Sequence, residues 1–226
     1  MKKIIIYTTN DEIISLHLVK QIITNRKFKD YHIDILLTKP SILRKIKIFI
    51  VIMFFGSVKD FLKQIANKVS ISEIIKNNNN CKIVSQVNEN YEYGLSVYCS
   101  SKIKLQNFKI FNFHLGNLKT QRGSFIFFYK FLYDWNSISL TFHEISDRFD
   151  VGKIINERII KLDKNCFASD IFFIYLKNKD FLIESIDKIN EKNNKEYKEF
   201  NKLYLIPSFF KLFKDIATFF LKKIKI

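Results

Sequence analysis

Residues that form turns and disulfides are scarce in this chain. Its 226 residues include five Gly, two Pro and three Cys. Cys81, Cys99 and Cys166 are odd in number and widely spaced, and none belongs to a Cys-x-x-Cys pair. This pattern argues against a disulfide framework and against a zinc site, and it fits the reducing cytoplasm.

Several signature motifs are also missing. No Gly-x-Gly-x-x-Gly follows the first apolar segment, so the sequence gives no support for a dinucleotide on the first strand-to-helix turn. No Gly-x-Ser-x-Gly elbow is present for a serine nucleophile. The apolar run at residues 48–55 is far shorter than the ~20 residues that span a bilayer, so it predicts a core or partner-facing helix. No secretory leader is expected, because only residues 4–7 are apolar after the initial lysines.

Acidic residues are few relative to basic ones. The chain has 38 Lys and Arg against 22 Asp and Glu, which gives a formal net charge of +16. The excess is mostly Lys and accompanies many Ile, Asn and Phe residues, so biased composition is the favoured explanation. Anionic small substrates and an anionic membrane surface are the alternatives, and nucleic acid is the least favoured partner.

Apolar runs alternate with amphipathic segments along the chain, which predicts one α/β domain built around a mainly parallel sheet. Strands are predicted at residues 3–7, 32–38, 82–87, 94–99, 109–113, 137–145 and 153–162. Helices are predicted at residues 13–23, 41–69, 124–134, 167–189 and 208–226.

The candidate catalytic residues lie in the middle third of the chain, between residues 112 and 150. Asn112 and His114 are two residues apart on a predicted strand, so their side chains share one face of the sheet at the strand's C-terminal end. Asp150 can return to them through one helix and one strand. An amide donor, an imidazole and a carboxylate together suit acyl transfer, because they can stabilise an oxyanion and accept a proton.

These residues belong to a series of short motifs. In order they are Asn112-Phe113-His114, Arg122-Gly123, Thr141-Phe142-His143 and Asp150-Val151-Gly152. The series resembles the core of the formyltransferase family that uses 10-formyltetrahydrofolate. The resemblance implies a Rossmann-like formyltransferase fold with helices on both faces of the sheet and a short C-terminal appendage. Leu115 and Ser139 depart from the family's Pro and Gly, and residues 117–120 replace its Leu-Pro.

The resemblance also implies roles for these residues. Asn112 and His114 would stabilise the oxyanion, and Asp150 would accept a proton through water or His114. Thr141 and His143 are expected to shape the site, and no metal is required. By the same resemblance, the residues assigned to binding 10-formyltetrahydrofolate, the formyl donor, are Tyr98, Ser100, Ile103 and Asp147, although Tyr98 could equally be an ordinary half-buried strand aromatic. Arg122 and Gly123 are assigned to substrate binding, although Arg122 could instead hold its loop in place.

The family includes enzymes that formylate different acceptors, and the expected acceptor of this chain is inferred by eliminating the other members. Residues 1–190 are predicted to form the catalytic domain, which leaves too little chain for the C-terminal barrel of methionyl-tRNA formyltransferases. The Gly-rich phosphate loop of the glycinamide ribonucleotide enzymes is missing. Short sugar N-formyltransferases remain, acting on dTDP- or GDP-4-amino-4,6-dideoxyhexoses for surface glycans such as the O-antigen of lipopolysaccharide. A methionyl-tRNA formyltransferase-like enzyme and an inactive membrane-surface or interaction protein are the alternatives.

Residues 191–226 are predicted to form a charged linker followed by an amphipathic helix. The helical stripe comprises Phe209, Leu212, Phe213, Ile216, Phe220 and Ile224, with most lysines elsewhere. Packing on the domain or pairing in a homodimer is the favoured interpretation. Contact with the inner face of the membrane, from a cytoplasmic enzyme, is the alternative.

Overall fold

The computed structural model describes residues 2–10, 13–39, 41–59, 62, 70–76, 78–87, 90–99, 101–191, 197 and 203–224. Ser100, one of the residues assigned to the formyl donor, lies outside these ranges. Within them, Cys81, Cys99 and Cys166 are free thiols. No helix in the described ranges is both long enough and apolar enough to cross a membrane.

A seven-stranded sheet forms the centre of the molecule. Its strands are β1 (Lys2–Thr9), β2 (Tyr31–Thr38), β3 (Cys81–Val84), β4 (Tyr93–Val97), β5 (Ile110–Leu115), β6 (Ser137–Glu144) and β7 (Ile154–Lys161). They lie in the order β3-β2-β1-β4-β5-β6-β7. The first five strands pair in parallel, and β6 and β7 add to one edge in antiparallel orientation. The predicted mainly parallel α/β fold is confirmed.

Eight α-helices lie wholly within the described residues, some of them short. They are α1 (Ile13–Thr24), α2 (Ile42–Phe55), α3 (Ile71–Lys76), α4 (Ile126–Tyr133), α5 (Ala168–Phe172), α6 (Ile174–Lys177), α7 (Lys179–Asp187) and α8 (Phe209–Ile224). The continuous helix predicted at 41–69 is wrong, because α2 ends at Gly56, whose backbone is extended (φ −120°, ψ 172°). The helix predicted at 167–189 is divided at Phe173 and Asn178.

The two faces of the sheet are covered differently. Because side chains alternate along β1, Ile4 and Ile6 lie on one face and Ile5 and Tyr7 on the other. The first face belongs to a large core cluster that receives the buried apolar side chains of all the described helices. The second face carries a smaller cluster to which loops contribute Cys99, Ile103, Phe108 and others. In the described residues, loops rather than helices therefore cover the second face, so the expectation of helices on both faces of the sheet is wrong for this part of the chain.

The C-terminal helix α8 packs on the domain along one narrow stripe. Leu212 and Ile216 are buried in the large core cluster. Just before α8, Tyr204 pairs with Gly123 in an isolated parallel bridge, through hydrogen bonds from Tyr204 N to Arg122 O (2.8 Å) and from Ser124 N to Tyr204 O (2.7 Å). The segment that leads into α8 is therefore attached next to the chain that follows β5.

Candidate active site

The end of β5 carries the first two residues of the site. β5 pairs with the antiparallel β6 so that Asn112 lies opposite His143 and His114 lies opposite Thr141. Directly opposed residues point to the same side of a sheet, so these four side chains share one face. Thr141 donates a hydrogen bond to Gly116 O (2.8 Å), which fixes the start of the turn after β5.

Asp150 reaches the same place on a tight turn. Its backbone is left-handed (φ 47°), and Gly152 also has a positive φ of 148°. A Cβ at position 152 would lie 1.9 Å from Glu144 O, so only glycine permits this close approach of the turn to the end of β6. The Asp-x-Gly motif is thus a backbone requirement that delivers the Asp150 carboxylate to β5.

The three side chains converge on one carboxylate oxygen. Asp150 Oδ1 lies 3.4 Å from Asn112 Nδ2 and 3.6 Å from His114 Nδ1. The side chains of His114 and Asp150 are only 7% and 14% exposed. Such shielding from water strengthens electrostatic interactions within the site. The sequence-based prediction that these residues come together agrees with this geometry.

Each ring nitrogen of His114 lies beside a group that accepts hydrogen bonds. His114 Nε2 lies 3.3 Å from Gln121 O, which can only accept, so Nε2 is the donor of that hydrogen bond. The other nitrogen, Nδ1, faces the Asp150 carboxylate.

His143 orients the amide of Asn112. The imidazole is buried, with Nδ1 3.1 Å from Glu144 O and Nε2 3.2 Å from Asn112 Nδ2. Because Glu144 O only accepts, the proton of the ring lies on Nδ1 and Nε2 accepts from the amide. Burial lowers the pKa of His143 to about 4, which keeps the ring neutral. This bond directs the Asn112 amide nitrogen toward Asp150.

Two cavities meet at these residues, and both are lined by Asn112 and Asp150. The larger has a volume of about 160 Å³ and is also lined by His114. The smaller has a volume of about 80 Å³ and is also lined by His143. A group bound in either cavity would therefore contact the same amide and carboxylate, and two bound molecules could react across them.

The residues assigned to ligand binding divide between the cavities. Tyr98 and Gly123 line the larger one, and Ile103 and Asp147 line the smaller one. Arg122 lines neither of the two. A Cβ at Gly123 (φ 116°) would lie 2.1 Å from Tyr204 O, so this glycine permits the attachment of the segment before α8.

Arg44 and Tyr175 are among the residues of the larger cavity that sequence reasoning did not assign to the site. The Arg44 guanidinium near the start of α2 lies 5.1 Å from the centre of the Tyr98 ring, and Tyr175 of α6 packs edge-on against the same ring at 5.7 Å. Neither belongs to a motif that marks a site. Among the described residues, no group of three or more His, Cys, Asp and Glu could hold a metal ion.

Comparison with known proteins gives matches at the level of structure. No protein-family model matches the chain, and no curated protein matches it. An N-formyltransferase from Helicobacter canadensis, solved with folinic acid and dTDP-3-aminofucose, aligns with a TM-score of 0.64 and 19% identity over 99% of this chain and 82% of its own. WlaRD, a sugar 3N-formyltransferase solved with dTDP and 5-N-formyl-THF, aligns with a TM-score of 0.61 and 22% identity over 91% of this chain and 70% of its own.

A third similar structure belongs to a longer protein. HypX from Aquifex aeolicus, also solved with tetrahydrofolic acid, aligns with a TM-score of 0.57 and 10% identity. The alignment covers 91% of this chain and 30% of HypX. The chain has the Rossmann-like fold of the two N-formyltransferases, as the motif series implied. At such low identity the likeness concerns the fold, and the function must be argued from the site.

Proposed function

We propose that this protein transfers a formyl group from 10-formyltetrahydrofolate to the amine of a nucleotide-linked amino sugar. The observation that carries the proposal is the convergence of Asn112, His114 and Asp150 where two cavities meet. A formyl transfer needs donor and acceptor on either side of one oxyanion site. The fold is shared with enzymes that were solved with a formylated folate, which supports the same donor here.

The reaction follows from the positions of the groups. The neutral amine attacks the formyl carbon, and the carbonyl oxygen becomes an oxyanion in a tetrahedral intermediate. The Asn112 amide and His114 stabilise that charge as donors. The bond from carbon to N10 of the folate then breaks, and N10 takes the proton that Asp150 removes from the ammonium. Asp150 accepts the proton that the ammonium loses, directly, through water or by way of His114.

The acceptor is proposed from charge and from the similar structures. The larger cavity has the Arg44 guanidinium on its wall, and a cation there suits an anionic ligand such as a nucleoside diphosphate. WlaRD was solved with dTDP and the Helicobacter canadensis enzyme with dTDP-3-aminofucose. We place the reaction in the cytoplasm, where free thiols persist, and its product in the synthesis of surface glycans such as the O-antigen of lipopolysaccharide.

A panel of acceptors tests this function. The protein is incubated with 10-formyltetrahydrofolate and dTDP- and GDP-linked amino sugars, and each mixture is examined by mass spectrometry for the gain of one formyl group. We expect at least one sugar nucleotide to be formylated, and the His114→Ala protein to give no detectable product. Efficient formylation of methionyl-tRNA with no sugar product would overturn the acceptor. Absence of any formyl transfer would favour an interaction protein instead.

A further inference from the structure

The outer side of α2 is apolar and uncovered. Its inner side, which includes Ile48 and Ile52, is buried in the core. The outer side carries a second stripe of large apolar residues at helical spacing, all of them exposed: Ile42, Ile46, Phe49 and Met53. A surface helix of a globular domain normally presents polar residues on that side. We therefore expect the outer stripe of α2 to contact an apolar environment.

Helix α8 is divided lengthwise into three sectors. One sector, with Leu212 and Ile216, is buried against the domain. A neighbouring sector holds exposed apolar residues at spacings of three, seven and one, namely Phe210, Phe213, Phe220 and Leu221. The remaining sector holds Lys211, Lys214 and Lys222, all exposed. The domain thus covers only part of the apolar side of this helix.

The two helices α2 and α8 lie side by side. Phe54 near the end of α2 packs against Phe220 of α8 with ring centroids 6.3 Å apart. Lys47 of α2 lies 4.9 Å from the ring of Phe209 at the start of α8. Contacts near both ends of α8 mean that the helices run in the same direction along one surface. We call the two exposed stripes together with Phe54 the α2–α8 face.

A groove at one end of the α2–α8 face combines apolar and basic groups. It has a volume of about 750 Å³, and Phe55, Phe131 and Phe219 are among its apolar lining residues. The basic residues that line it are Lys130, Lys164 and Lys222, of which Lys130 lies 3.9 Å from the Asp134 carboxylate. An apolar lining with ammonium groups beside it suits an acyl chain attached to an anionic head group.

We propose that the α2–α8 face lies on an anionic phospholipid surface. Exposed aromatic and aliphatic side chains flanked by lysines are the features by which interfacial helices bind such surfaces. Charge complementarity distinguishes this occupant from a second copy of the chain. A two-fold pairing of the face would bring its lysines together in subunits that each carry a net charge of +16, and like charges oppose that pairing.

Vesicle sedimentation with the full-length protein tests the proposal. Vesicles of phosphatidylcholine alone are compared with vesicles that also contain phosphatidylglycerol. We expect partition onto the anionic vesicles to be at least about tenfold stronger, and to weaken as salt is raised, because the lysines contribute electrostatically. The measurement needs no substrate, so its outcome is independent of the proposed formyl transfer.

A matched pair of double variants assigns the binding to the face. Phe213→Ser with Leu221→Ser removes two of its exposed residues. Leu105→Ser with Ile159→Ser removes two residues of similar exposure from outside the α2–α8 face, and all four lie between 50% (Phe213) and 68% (Ile159) exposed. We expect the first pair to weaken vesicle binding at least about tenfold and the second to leave it unchanged.

Three outcomes would overturn the proposal. One is a wild-type protein that does not bind the anionic vesicles, and another is equal loss of binding in both double variants. The third is a wild-type dimer, detected by light scattering, that does not bind vesicles and that dissociates when Phe213→Ser and Leu221→Ser are combined. That result would assign the face to a second copy of the chain. Loss of binding confined to the first pair, with a monomer throughout, supports the lipid surface.

Discussion

Alanine at Asn112, His114 or Asp150 is expected to lower the turnover of formyl transfer by at least about 100-fold. Each substitution removes a group that acts on the reacting atoms: an oxyanion donor, a proton carrier or a proton acceptor. The three groups are adjacent, because Asp150 Oδ1 lies 3.4 Å from Asn112 Nδ2 and 3.6 Å from His114 Nδ1. Turnover is measured on the best acceptor from the sugar nucleotide panel, with saturating formyl donor.

Folding must be separated from chemistry in that experiment. The three variants should keep the circular dichroism spectrum of the wild type and unfold cooperatively. His17→Ala, on the exposed side of α1, serves as the control and should retain full turnover. If two of the three site variants kept nearly normal turnover, the mechanism proposed here would be wrong.

A conservative substitution separates the two roles of Asp150. Asp150→Asn can still accept a hydrogen bond from the Asn112 amide through its side-chain oxygen, but it cannot take a proton. We expect turnover to fall about as far as in Asp150→Ala, while the affinity for folate analogues stays close to that of the wild type. Near-normal turnover in Asp150→Asn would assign the carboxylate to positioning Asn112 rather than to proton transfer.

The local features of the site were predictable from the sequence, whereas the return of Asp150 to Asn112 and His114 was implied by the resemblance to the formyltransferase family. Alternation along one strand places Asn112 and His114 on the same face. The end of that strand is where α/β sheets bind ligands, and the Asp150-Val151-Gly152 turn needs a glycine that the sequence displays. The parallel strands of the sheet were also predictable, because each is a short apolar run in the sequence. These features depend on residues within a few positions of one another.

Features that depend on distant segments were not predictable. The approach of Arg44 and Tyr175 to Tyr98 is a packing result between segments far apart in sequence. The sequence did not predict that α2 ends after Phe55, because a single Gly within an apolar run is tolerated in many helices. Helical periodicity identified α8 correctly, but it does not say which part of an apolar stripe the domain covers.

The stability of the protein is expected to depend on pH through His143. Its folded-state pKa of about 4 lies below the ordinary value of 6.5, because the imidazole is buried. Between these values the unfolded chain binds a proton that the folded protein excludes, so the free energy of unfolding falls as the pH falls. The contribution is complete above pH 6.5 and lost progressively toward pH 4. The shift corresponds to about 3 kcal/mol across that window.

Urea unfolding at a series of pH values between 7 and 4 measures this dependence. We expect His143→Gln to start from lower stability at pH 7, since its hydrogen bonds to Asn112 and to Glu144 O are altered, but to lose less stability as the pH falls. His17→Gln, an exposed histidine on α1, should retain most of the wild-type dependence. Parallel curves for the wild type and His143→Gln would show that the buried imidazole is not the group responsible. A flatter curve would establish that His143 stays neutral in the folded protein, as its acceptance of a hydrogen bond from Asn112 requires.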